Sequence, residues 1–127
     1  AHSEIERDEV GRCVFLGFLM KLGPWTLYHS GDTLWYDGLE DILSPLGIDI
    51  AFLPINGDVP ERKIAGNLNG AEAANLAKAI GAMTVLPCHY DMFEFNTESP
   101  ELFLATCKEI GQEYKVPLGG ERVSFRK

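Results

Sequence analysis

The sequence predicts a mixed α/β fold, and three observations carry that prediction. Short apolar runs bounded by glycine, proline or asparagine recur along the chain, as buried strands do. Between them stand segments whose apolar residues fall at helical spacing. Strands that alternate with helices imply right-handed crossovers and a parallel core, to which an opening hairpin adds antiparallel strands.

The first charged segment, residues 4–9, reads as a loop. Residues 13–22 are rich in branched and aromatic side chains and lie between Gly11 and Gly23, which predicts a strand. Gly23-Pro24 is turn chemistry, and residues 25–28 form the second arm of a hairpin. Residues 34–46 then turn helical, with Trp35, Leu39, Ile42, Leu43 and Leu46 on one stripe that Pro45 and Gly47 end. A buried strand follows over 48–55, closed by Asn56-Gly57-Asp58, and residues 59–68 are a loop without period.

Asn69 caps the next helix, with Glu72 three residues on as its capping-box partner. Ala73, Leu76, Ala77 and Ile80 give that helix an apolar face, and Gly81 stops it. Residues 83–86 are the next buried strand. Ser99 caps a further helix with Pro100 at its first position, Leu102, Phe103, Thr106 and Ile110 facing the core, and Gly111 at its end. A last strand is expected over 116–125, interrupted by Gly119-Gly120. The predicted order is β-β-α-β-α-β-α-β, one domain with no repeat or linker.

Composition narrows the function classes. The chain has 127 residues, 46% of them apolar, enough for a packed core. Its net charge of −8, with no lysine or arginine block, argues against a nucleic-acid partner. An acidic fold still accepts an anionic substrate where metal ions supply local positive charge. The three cysteines, Cys13, Cys88 and Cys107, are widely spaced, which points to free thiols in a reducing cytoplasm. No apolar run approaches the ~18 residues that cross a bilayer, so no membrane partner is expected. The chain starts at Ala1 without a signal-peptide pattern and reads as part of a longer protein.

Polar knots at strand ends are where open α/β sheets place their chemistry. Tyr28-His29-Ser30-Gly31-Asp32-Thr33 follows one strand, and Cys88-His89-Tyr90-Asp91 follows another. A third polar site, Ala1-His2-Ser3-Glu4, opens the chain. Histidine occurs only at 2, 29 and 89. Imidazole with carboxylate suits Zn, Mn or Fe, so His2, Asp32 and His89 are the candidate metal ligands. Other readings stand beside this one. Asp32 has the chemistry of a helix N-cap. Asp91 orients a histidine ring from behind or is a turn residue. A Cys88–His89 nucleophile is disfavoured, because neighbours on a strand face opposite sides.

These three knots resemble the third, fourth and fifth metal motifs of the metallo-β-lactamase superfamily. His-Tyr-Asp-Met-Phe at 89–93, with the helix over 69–81 before it, is most similar to the branch containing L-ascorbate-6-phosphate lactonase and related metal-dependent hydrolases. The resemblance implies one half, the C-terminal one, of an αββα sandwich, so that residues 1–127 form a single partial domain. It implies that His2 ligates one metal, Asp32 bridges two, and His89 ligates the second, with Asp32 and His89 catalytic. Zn or Mn would activate water to hydrolyse a small lactone, ester or phosphorylated sugar-like substrate, with His29 and Asn56 as substrate contacts. The superfamily's His-x-His-x-Asp-His motif is absent, so the 127-residue chain is expected to be inactive alone and prone to self-associate. Two alternatives are a metal-free scaffold or binding protein that kept the fold, and a nuclease of the same superfamily.

Overall fold

A computed structural model describes residues 3–127. Among these, four strands form one mixed sheet in the order β1-β2-β3-β4. β1 (Phe18–Leu22) and β2 (Trp25–His29) make the antiparallel hairpin around Gly23-Pro24. β2, β3 (Ile50–Pro54) and β4 (Thr84–Cys88) then run parallel, as crossover connections require. α1 (Leu39–Leu43) and a 3-10 turn (Ser44–Leu46) link β2 to β3. α2 (Gly70–Ala79) links β3 to β4, and α3 (Glu101–Ile110) follows β4. The mixed α/β class is as expected.

The core lies between the parallel strands and α2. Ala51, Leu53 and Ile55 of the β3 run are fully buried, as are Ala73, Ala74, Leu76 and Ala77 of α2. The expected capping box starts α2: the Glu72 amide donates to Asn69 Oδ1 at 2.9 Å, and the Asn69 amide donates to Glu72 Oε2 at 2.8 Å. α3 packs on α2 at very short range. A Cβ placed on Gly70 would stand 2.6 Å from the Phe103 amide nitrogen, so only glycine fits at that crossing.

Four expectations need correction. The strand expected over 13–22 is regular only from Phe18; before it the described residues form a bridge between Arg7 and Cys13 and no ladder. The helix expected over 34–46 starts at Leu39; Gly38, its N-cap, sits at φ 86°, a left-handed value that ends any helical path from Trp35. Ser99 is not the cap of α3; Pro100 holds that position, and Ser99 Oγ accepts only a 3.4 Å bond from the Glu101 amide. Residues 116–125 form no strand. The chain touches the free edge of β4 at Tyr114, with Val85 and Lys115 exchanging one bond of 3.1 Å, and then departs.

That departing tail straps the start of β2. Lys127 Nζ lies 2.9 Å from Asp49 Oδ2, reaches the Pro24 carbonyl and stands over the Trp25 ring, whose edge also meets Phe125. Asp49 accepts a 2.7 Å bond from the Thr26 amide. β1, by contrast, is exposed along its whole length, and Phe15, Leu16, Phe18, Leu19, Met20 and Leu22 make an apolar strip on the surface. No described helix is long and apolar enough to cross a membrane.

Two predictions follow from this packing. Gly70→Ala should cost about 1–3 kcal/mol, read as a lower urea midpoint, because the new methyl meets α3 backbone that has no side chain to move; an unchanged midpoint would contradict the tight crossing. The second concerns pH. Partial burial pushes the Asp49 carboxyl upward, but the Thr26 amide and Lys127 outweigh it and hold the group below its usual 3.8. A lowered carboxylate stabilises the fold above its unfolded value and loses that contribution as pH falls through the folded one. Wild type should therefore exceed Asp49→Asn in urea midpoint at neutral pH and converge with it as pH falls through the lowered folded value; a gap that stays constant as pH falls would exclude the ionised bond.

Candidate metal centre

The parallel register brings the two downstream knots to one edge of the sheet. Phe52 of β3 pairs with His29 of β2 on one side and with Leu86 of β4 on the other. Asp32 and His89 each lie three residues past that shared level. Their side chains meet over the end of β3, with His89 Nε2 3.5 Å from Asp32 Oδ1. Asp32 is 60% exposed in its side chain and His89 22%, so the pair opens to solvent from the carboxylate side.

Backbone geometry makes the meeting possible. Gly31 has φ 64°, and a Cβ there would stand 2.7 Å from the Leu16 carbonyl oxygen, so the turn that launches Asp32 needs glycine. Ser30 and Thr33, both fully buried, anchor either side of it, with Ser30 Oγ donating to the Gly31 carbonyl at 2.6 Å and Thr33 Oγ1 to the Leu34 carbonyl at 2.8 Å. His89 and Asp91 also have positive φ, 59° and 54°. For residues other than glycine that conformation costs about 1–2 kcal/mol each, and it persists only where the surroundings impose it.

The other expected site residues fall as follows. His29 is exposed at the end of β2; its Nδ1 accepts from the Gly31 amide at 3.0 Å, and its ring stacks on Phe52 with centroids 5.9 Å apart. That bond leaves Nε2 as the donor of the neutral ring. Asn56 is wholly buried and donates to Asn96 Oδ1 at 2.9 Å, so its amide fastens a loop and has no opening toward a ligand. Asp91 is exposed and its amide donates to Thr97 Oγ1 at 2.7 Å. The buried His89 Nδ1 has no partner among the described residues, so in this structure Asp91 does not hold the ring and sits in the turn. Asp32 is no helix cap either, since α1 begins after Gly38.

His2 lies outside the described residues. Its neighbours Ser3 and Glu4 nevertheless line one cavity with Asp32, together with Glu6, Phe15 and Ala65, of about 350 Å³. Among the described residues no group of three or more His, Cys, Asp and Glu is placed to hold an ion. The Asp32–His89 pair fits a divalent cation in donor type, nitrogen with oxygen, and would need further donors to complete its shell.

Cys88 is no nucleophile for this site. β4 ends at Cys88 and His89 has already turned into the left-handed region, so the strand alternation that separated them in the sequence does not extend that far. Burial, with the Asp32 charge adding to it, pushes the Cys88 thiol up to about 12. Sequence reasoning overlooked Arg62, Asn96 and Thr97, which brace the His89 loop from behind. One signal was available: Arg62 is the only arginine between Arg12 and Arg122.

No family model matches the chain. It is 29% identical over 120 residues to a UPF0173 metal-dependent hydrolase of Rubrobacter xylanophilus, an alignment covering 91% of this chain and 47% of that one. Igni18, a metallo hydrolase from the hyperthermophilic archaeon Ignicoccus hospitalis, superposes with a TM-score of 0.75 at 22% identity, over 100% of this chain and 51% of its own. The metallo-β-lactamase fold protein YhfI from Bacillus subtilis gives 0.60 at 20% identity, over 80% of this chain and 40% of its own. The chain thus matches about one half of the metallo-β-lactamase fold, as its motifs suggested. Within that class its sequence relatives are the UPF0173 metal-dependent hydrolases, and it spans about half their length.

Thiol reactivity tests this account of the cysteines. Burial raises Cys107 to about 11 as well, whereas Cys13 is exposed. In the native chain at neutral pH, iodoacetamide should label Cys13 more than about tenfold faster than Cys88 or Cys107. Fast labelling of Cys88 would reopen the nucleophile reading.

Proposed function

We propose that this chain is the metal-binding C-terminal half of a cytoplasmic metal-dependent hydrolase, with His2, Asp32 and His89 as ligands and Asp32 and His89 as catalytic residues. The approach of His89 Nε2 to Asp32 Oδ1, 3.5 Å between the ends of two different strands, carries this reading. A divalent ion such as Zn or Mn, when bound, supplies Lewis acidity and makes water a nucleophile near neutral pH. The chain's own groups do the rest. Asp32 offers a solvent-open carboxylate, and His89 offers the lone pair of Nε2 whenever its proton sits on Nδ1. His29, with its Nε2–H outward, donates to a substrate oxygen as negative charge develops there. Phe15 and Ala65 give the cavity beside Asp32 an apolar wall that limits water.

The cavity beside Asp32 supports a small-molecule substrate. A volume of about 350 Å³ suits a small molecule, and a lactone or ester fits better than a phosphorylated sugar. Glu4, Glu6 and Asp32 line that cavity with no lysine or arginine among its walls, so a phosphate is tolerated only beside a bound cation. The same acidity, with the net charge of −8, weighs against the nuclease alternative. The apolar strip on β1 is the surface through which the chain associates, either with the remainder of the sandwich or with a second copy.

A Mn²⁺ titration followed by NMR on the 127-residue chain tests the ligand assignment, because paramagnetic broadening reports weak binding and its place. The His89 ring and Asp32 amide signals should broaden first, and Asp32→Asn or His89→Gln should each raise the Mn²⁺ needed by at least about tenfold. Broadening spread evenly over the acidic surface, unaffected by either substitution, would favour a metal-free scaffold.

A further inference from the structure

The loop that carries His89 is held by a residue with no part in the chemistry above. Arg62 ends the short 3-10 turn Pro60–Arg62, and its side chain is only 14% exposed. One guanidinium joins two separate pieces of chain. On one side Nη1 donates to the carbonyl of Asn56, just beyond β3. On the other side Nη1 reaches Asn96 Oδ1 at 3.5 Å, and Nη2 donates to the Thr97 carbonyl at 2.9 Å and to Glu98 Oε1 at 2.6 Å. Asn56 Nδ2 donates to the same Asn96 oxygen at 2.9 Å, so the two pieces are joined twice.

The clamped stretch 96–98 is the returning limb of the loop that leaves β4 through His89. It is tied back to the outgoing limb by the Asp91 amide, which donates to Thr97 Oγ1 at 2.7 Å. His89 and Asp91 are the two left-handed residues of that outgoing limb. A left-handed backbone relaxes unless something fixes it, and here the fixing bond ends on a residue that Arg62 holds. We propose that Arg62 is a positioning residue for His89: through Thr97 and Asp91 it keeps the outgoing limb in the conformation that brings Nε2 to Asp32. Its functional meaning rests on reading His89 as a ligand, while its geometry does not. Lysine cannot replace it, since one ammonium does not span acceptors on two chain segments as a planar fork does.

The test uses the 127-residue chain labelled with ¹⁵N-histidine, without metal, so that it reads the place of His89 directly. Thr97→Val removes the acceptor at nearly constant shape, and Thr97→Ser keeps it. Thr97→Val should shift the backbone and ring signals of His89, and Thr97→Ser should leave them as in wild type. Arg62→Ala and Arg62→Lys should shift the same signals in the same direction, and adding Thr97→Val to Arg62→Ala should shift them little further. His89 signals unmoved by Thr97→Val, with Arg62→Ala lowering only the melting temperature, would overturn the proposal. If Arg62→Ala does not fold, the Thr97 pair decides alone. Mn²⁺ added afterwards separates the two claims. Shifts in the variants without broadening of His89 in wild type would uphold the positioning and sink the ligand reading; where both hold, Thr97→Val should need about tenfold more Mn²⁺ than wild type.

Discussion

The parallel pairing of β2, β3 and β4 is the constraint on which the site depends. Adjacent strands lie about 4.8 Å apart, so β2 and β4 stand roughly twice that distance from each other across β3. Asp32 and His89 close this gap to 3.5 Å only because each follows a left-handed or near-terminal turn that leans it over the end of β3. Both turns start from the level of Phe52. A slip of one residue in either pairing would move one partner by about 3.3 Å along the sheet and turn its strand's side chains to the other face. The apolar residues of the β3 run, Ala51, Leu53 and Ile55, are buried in the core and hold the register on which the Asp32–His89 approach depends.

Much of this arrangement was legible in the sequence, and the legible part has a common cause. The capping box at Asn69 and Glu72, the glycines after the helices, and the strand-end knots are all local signals, spelled within a few residues. What misled was also local. The stripe from Trp35 to Leu46 has helical spacing, yet Gly38 interrupts it with a backbone angle no spacing reveals. Residues 13–17 have strand composition, but the described structure gives them a bridge between Arg7 and Cys13 and no regular ladder, and a strand exists only where a ladder continues. Residues 116–125 fail for the same reason, after a single bridge at Tyr114. The brace behind the site was beyond such reading, because the partners through which Arg62 holds the returning limb lie 34 to 36 residues away.

Polarity is distributed unevenly, and the unevenness coincides with the site. Near α2 the core is small and apolar, with Gly70 and three alanines allowing close approach. Beyond the C-terminal end of β3 it becomes amide-rich: Asn56, Asn67 and Asn96 are all buried there. Two of those side-chain oxygens, on Asn56 and Asn67, have no partner in the described structure. Buried amides left unpaired cost stability that an apolar filling would not, so this layer is a poor choice for holding a fold and a good one for fixing loop positions.

The same comparison of magnitudes bears on the Asp32–His89 pair itself. An ion pair with one partner this exposed contributes about 0–1 kcal/mol at most. Against it stand the left-handed backbones of His89 and Asp91, at about 1–2 kcal/mol each, and a buried His89 Nδ1 without a partner among the described residues, at about 1–3 kcal/mol. The arrangement thus costs more than the pair returns. A chain selected for stability alone would have glycine or asparagine at 89 and 91. A carboxylate and an imidazole kept side by side at that cost agree with the proposed cation site, where a bound ion would supply interaction energy that the pair alone does not. On that proposal stability rises on metal binding by the free energy of the binding, and the left-handed backbone at His89 would be the part of the site formed in advance.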